Sequence, residues 1–165
     1  GSLASALHGV MRATMDADLL ADLRPEHTEP LAQALGDAFY ADVEMTRDAI
    51  HRHGSFNLIH LETMFKVDVF VAKPRAFDRS QLARRQLHLL SEDPEHHAYV
   101  TSAEDIVLSK LEWYRMGGEV SDRQWRDVLG VLKVQGDRLD RDYMHRMVTE
   151  LGVADLLERA FKEAG

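Results

Sequence analysis

Asp68 interrupts Phe65-Lys66-Val67-Asp68-Val69-Phe70-Val71, a run whose β-branched and aromatic residues otherwise read as a buried strand. Side chains alternate along a strand, so Val67, Val69 and Val71 take one face and Lys66, Asp68 and Phe70 the other. That puts the carboxylate opposite the most apolar row. Asp16-Ala17-Asp18 poses the same question, because Asp is depleted in strands and a period of two places both carboxylates on one face. Three carboxylates brought together would make an oxygen-rich site for a hard divalent cation, Mg2+ above all. The competing reading makes Asp16 and Asp18 solvent-facing edge residues and Asp68 a paired interior charge. Spacing alone does not choose between them.

The chain has 165 residues, 45% hydrophobic and 29% charged, enough for a proper core in one domain, or one domain with a small helical appendage. Its net charge of −8 makes its overall field a poor non-specific attractor of nucleic acid. The absence of cysteine excludes disulfides, thiolate catalysis and Cys-based zinc sites, and fits a cytoplasmic protein. No apolar run approaches the roughly 20 residues of a membrane span, and no stretch reads as a signal peptide; no membrane partner is expected.

In chain order, residues 3–9 read as a short helix ending at Gly9, and Arg12 and Thr14 precede the strand of Asp16 and Asp18. A helix over about 28–37 places Leu31, Ala34, Leu35 and Ala38 on one face, and Phe39-Tyr40-Ala41 is extended. Residues 44–53 form another helix. Strands at 56–61 and 65–71, joined by Glu62-Thr63-Met64, predict an antiparallel hairpin. A helix over 77–87 carries Arg79, Arg84 and Arg85, a polar loop spans 91–97, and Tyr99-Val100 is a last short strand. From Ser102 the pattern is all helical. Ser102 is an N-cap with Glu104 and Asp105 in the first turn, Gly117-Gly118 ends that helix, and Ser121 with Gln124 has capping-box spacing. Helices over 121–134, 140–151 and 153–163 follow. The expected division is an α/β domain over 1–101 and a helical domain over 102–165.

Taken together, Gly1-Ser2, Arg12-x-Thr14, Asp16-x-Asp18 and Asp68 resemble the minimal nucleotidyltransferase fold of the polymerase-beta-like superfamily. The second half, Ser102-Ala103-Glu104-Asp105-Ile106-Val107-Leu108-Ser109-Lys110-Leu111 followed by Ser121-Asp122-Arg123-Gln124-Trp125-Arg126-Asp127-Val128, resembles the helical half of prokaryotic nucleotidyltransferase-like proteins. These are similar to the toxin of abortive-infection type IV toxin–antitoxin systems. The resemblance implies an α+β fold: a nucleotidyltransferase-like mixed sheet flanked by helices, followed by a C-terminal helical bundle. It also implies Mg2+-dependent transfer of a nucleoside monophosphate from an NTP to a hydroxyl on protein, RNA or a small molecule, with an antitoxin as a further partner.

Carried over by position, Gly1 and Ser2 would lie against the triphosphate through backbone N–H groups at a helix N-terminus. Arg12, Thr14 and Asp127 would join the nucleotide site. Asp16, Asp18 and Asp68 would hold the metal, and Asp68 would help deprotonate the acceptor. Lys110 would meet a phosphate, steered by Asp127. The family's first strand would precede Gly1, and a sheet edge left without it invites pairing with another chain, a homo-oligomer included. Plainer readings stand beside these. Lys110 could be a helix-face lysine paired with a nearby carboxylate, and Asp127 could pair with Arg123 four residues earlier. His96 and His97 beside Asp93 and Glu95 read as a polar surface loop, and the arginine row of 79, 84 and 85 as a solvated face. Trp113 and Trp125 read as core or helix-interface residues. A catalytically inactive fold acting as a binding module is the alternative to an enzyme.

Overall fold

The computed structural model describes residue 8, residues 16–92 and residues 94–165, apart from the Ser91 side chain. The expectations for Gly1, Ser2, Arg12, Thr14, Asp93 and, His8 aside, the helix over 3–9 lie outside the described residues. The chain is α+β and divides into two compact units, one over residues 16–74 and one comprising His8 and Arg75–Gly165. The boundary in compactness therefore follows Pro74, whereas the sequence changes character at Ser102.

In the first unit, β1 (Asp16–Ala21), β2 (Phe39–Tyr40), β3 (Ser55–His60) and β4 (Phe65–Val71) form one mixed sheet in the order β1-β4-β3-β2. β1 runs parallel to β4, and β3 is antiparallel to both β4 and β2. Two helices connect the strands, α1 (Thr28–Leu35) and α2 (Val43–Arg52). Phe56, Leu58, Val69 and Val71 pack with Ala49 and Ile50 of α2. One sheet face is thereby committed to the core, and the alternate residues must take the other face. Local chemistry sets the ends of α2. Asp42 caps it by accepting from the Met45 N–H at 2.9 Å. His53 closes it in the left-handed region at φ 49°, its ring Nδ1 2.7 Å from the Ala72 carbonyl. The expected β3–β4 hairpin is present.

The second unit contains α3 (Ala76–Ala83), a two-stranded ribbon of β5 (Gln86–Glu92) and β6 (Glu95–Val100), and four further helices. These are α4 (Ala103–Met116), α5 (Asp122–Gln135), α6 (Arg141–Leu151) and α7 (Ala154–Ala164). Their core gathers Val107, Leu108, Leu111, Val128, Met144 and Leu157, all fully buried. Ser102, Ser121 and Asp140 cap α4, α5 and α6 by accepting from the backbone N–H three residues on. Two carboxylates tie α3 to the helices. Glu150 of α6 accepts from the N–H groups of Ala76 and Phe77 at 2.9 and 3.0 Å, satisfying donors that an N-terminus leaves open. Glu112 of α4 receives Arg75 in a bidentate pair at 2.5 and 2.9 Å. These bonds place residues 75–83 with the helical half.

Three expectations need correction. The helix expected over 77–87 stops at Ala83, Arg84 turns to Glu104, and β5 begins at Gln86. The polar loop expected over 91–97 belongs to a β-hairpin that turns at Pro94. Trp113 is 44% exposed, whereas Trp125 is buried as expected.

Candidate functional site

The sheet face opposite the core gathers the suspected acids. In the parallel β1–β4 ladder Asp18 lies in register with Asp68, and Asp16 with Lys66. The antiparallel β3–β4 ladder sets Asn57 beside Asp68. Partners in register point the same way from a sheet. Asp18, Asp68 and Asn57 thus form a row across three strands, with Asp16 and Lys66 one pleat repeat along. Asp18 is exposed and Asp16 half-buried, so the face is open.

Like charges side by side on a sheet are unfavourable and need compensation. Two groups on Asp68 Oδ1 contribute to it: the Asn57 amide donates at 2.9 Å and the Lys66 ammonium sits at 2.9 Å. Lys66 answers to the whole cluster. Its hydrogen bond to Asp68 pushes its pKa above the usual lysine value, and the charges of Asp68, Asp16 and Asp18 add to this against partial desolvation. The sequence reading put Lys66 and Asp68 on one face but gave Lys66 no role and passed over Asn57. The signal for Lys66 was its two-residue spacing from Asp68. Asn57 is found only through the register of β3 on β4.

The donor set fits Mg2+ in kind, since all three groups are carboxylates and Mg2+ takes one or two of them with water and substrate phosphates. Among the described residues, no three metal-ligating side chains are gathered closely enough to hold one ion as they stand. The Lys66 ammonium supplies positive charge at Asp68 instead.

Lys110 and Asp127 belong to the other unit. Lys110 Nζ donates to Asp127 Oδ2 at 2.9 Å, and their side chains are only 13% and 7% exposed. Asp127 therefore pairs with Lys110 across the α4–α5 contact, as a helix-face lysine meeting a nearby carboxylate. Breaking a nearly buried pair from one side strands a charge. Asp127→Ala strands the Lys110 ammonium and Lys110→Met strands the Asp127 carboxylate, so each should cost about 2 kcal/mol in urea unfolding, below the figure for a fully buried pair because both side chains keep some solvent contact. A negligible loss in either variant would contradict this account.

No protein-family model matches the chain, and no curated protein matches it in sequence.

Proposed function

We propose that the open face of the first unit is the metal-binding face of a nucleotidyltransferase-like protein, which transfers a nucleoside monophosphate from an NTP to a hydroxyl acceptor. The supporting observation is the in-register pairing of Asp18 with Asp68, with Asp16 one pleat repeat away on the same open face. Asp16, Asp18 and Asp68 would hold Mg2+, and Asn57 would orient the Asp68 carboxylate. Bound Mg2+ supplies charge neutralisation for the triphosphate and for the pyrophosphate that leaves. In the transfer, the acceptor oxygen forms a bond to the α-phosphorus, the bond from that phosphorus to the bridging β-phosphate oxygen breaks, and Asp68 takes the acceptor's proton. The two oxygens of Asp68 allow a division of labour, because the Asn57 and Lys66 contacts both fall on Oδ1. The acceptor class and an antitoxin partner rest on the sequence resemblance.

One observation favours the alternative of an inactive binding module: Lys66 already neutralises Asp68. Titration calorimetry with Mg2+ and each NTP separates the two readings. An enzyme binds an NTP only with Mg2+ and releases pyrophosphate, and release of inorganic phosphate would indicate a phosphohydrolase. No binding to any NTP would overturn the enzyme reading.

Lys66→Gln tests the resident cation. If Mg2+ must displace the ammonium from Asp68, the variant should bind Mg2+ about two- to fivefold more tightly, the range expected for releasing a partly exposed ion pair. An unchanged or weaker Mg2+ affinity would mean that Lys66 does not compete with the metal. Among the described residues no helix is long and apolar enough to cross a membrane.

A further inference from the structure

The β5–β6 ribbon carries its larger apolar side chains on the wrong side for a simple surface hairpin. Its ladder pairs Leu87 with Tyr99 and Leu89 with His97. Leu87, Leu89 and Tyr99 are 58%, 46% and 63% exposed. The alternate residues run the other way. Val100 is buried, Ala98 is half-buried, and the His88 Nε2 atom is shut off from solvent. A half-buried strand ordinarily turns its apolar residues inward and its polar ones outward. Here Val100 and Ala98 follow that rule, but Leu87, Leu89 and Tyr99 do not, and their apolar side chains lie as a strip in water.

Charge is sorted along the same strip. At one end the Arg85 guanidinium lies over the Tyr99 ring, 4.7 Å from its centroid. At the other end Glu92 pairs in register with Glu95, and both are exposed. The register shift between Leu89 and Ser91 changes the alternation, which sets Glu92 in line with Glu95 on the outward side. The outward face is therefore cationic at one end, apolar in the middle apart from His97, and anionic at the other. Such a strip is complementary to itself when a second copy runs antiparallel across a two-fold axis, as an isologous interface requires. Leucines and tyrosines would then meet, and each Arg85 would face the Glu92–Glu95 end of its neighbour.

We propose that this outward face is a homodimer interface, in which two copies of the chain pack their β5–β6 ribbons face to face and antiparallel. One ribbon face is small beside the roughly 1,200–2,000 Å² of a standard interface, so the dimer should be concentration-dependent. The inference is independent of the nucleotidyltransferase reading, because it uses no residue of the carboxylate face.

Sedimentation velocity on the full chain, from about 1 µM to about 1 mM, tests it across the range of weak self-association. The expected result is a shift from the 18.8 kDa monomer toward twice that mass. Leu87→Asp and Leu89→Asp should each hold the chain monomeric with unchanged far-UV circular dichroism, since both side chains are already exposed. Arg85→Glu and Glu92→Arg should each weaken association at least severalfold, and the double variant should recover it. A monomer at every concentration would overturn the proposal, as would a dimer indifferent to the leucine variants. Failure of the double charge reversal to restore a dimer that both single reversals weaken would overturn the antiparallel arrangement.

Discussion

Asp68→Asn should lower Mg2+-dependent NTP binding and transfer by about 10²- to 10³-fold, since metal-held charge stabilisation is worth several kcal/mol and each 1.36 kcal/mol is a factor of ten. The substitution preserves shape but removes the charge shared by the site. Asn57 and Lys66 both meet Oδ1, and the amide oxygen of the variant, with two lone pairs, can accept from both, so what the substitution removes is the negative charge. Asp18→Asn should have an effect of the same order, because Asp18 stands in register beside Asp68. Asn57→Ala should cost only about 10- to 100-fold, the usual range for a group that orients a metal ligand. Neither Asp variant should change the unfolding free energy by more than the roughly 0.5 kcal/mol typical of surface changes, because the face is open and the core lies on the other side of the sheet. Calorimetry with Mg2+ and NTP, together with a pyrophosphate-release assay, reads these effects. Unchanged metal-dependent binding in both Asp variants would mean that the site is misassigned, whereas loss of binding together with loss of fold would point to a structural role for the row.

That face was legible because it depends on a period of two. Once β4 is recognised from its valines, Asp68 must lie opposite them, and Asp16 and Asp18 must share a side of β1. Their meeting depends on a parallel pairing of strands roughly fifty residues apart, which alternation cannot supply. The sequence resemblance suggested that meeting. The serine caps of α4 and α5 were also legible, since each depends on contacts three residues apart. The β5–β6 ribbon was hidden for a physical reason. Its pattern is mixed, with His88 on the inward side and Leu87 and Leu89 on the outward side, and its glutamates and Pro94 resemble a loop. Arg84 was equally opaque as a member of an arginine row. It donates to Glu104 at 2.9 Å and lies over the Tyr143 ring, 3.9 Å from its centroid, contacts that join residues 20 and 59 positions apart. Glu104 and Asp105 both read as acids favouring a helix dipole, yet they have different fates. Glu104 reaches the Asp140 N–H at 3.0 Å, and Asp105 is entirely buried.

Asp105→Ala should be the most destabilising of the polar substitutions, by about 3–5 kcal/mol, because it removes one partner from a buried charged network. The Tyr143 hydroxyl donates to Asp105 Oδ1 at 2.5 Å and the Ser102 hydroxyl to Oδ2 at 2.9 Å. Arg84 Nε lies 3.6 Å from Oδ2, close enough for charge attraction but beyond a hydrogen bond. Alanine would leave two buried hydroxyls without an acceptor and would loosen the Arg84–Tyr143 stack. Tyr143→Phe removes a single bond to the carboxylate and should cost about 1.5–3 kcal/mol. The pH dependence distinguishes burial from simple packing loss. Burial pushes the Asp105 pKa up, opposed by the Tyr143 and Ser102 hydrogen bonds and by Arg84. The folded state therefore holds this proton more tightly than the unfolded chain, whose Asp titrates near about 3.9. The resulting stabilisation is complete below that value and is lost as pH rises through the raised folded pKa. Glu104 has the opposite sign. Although burial works against it, the Asp140 N–H, the Ser102 hydroxyl and Arg84 hold its pKa down, so its contribution is lost on acidification. In the wild type the two partly cancel. In Asp105→Ala only the Glu104 term remains, so the deficit against wild type should grow as pH is lowered from neutrality toward 4. Urea midpoints for both proteins across that range measure it, and a deficit that shrinks on acidification would show that Asp105 is stabilised as the carboxylate rather than strained by its burial.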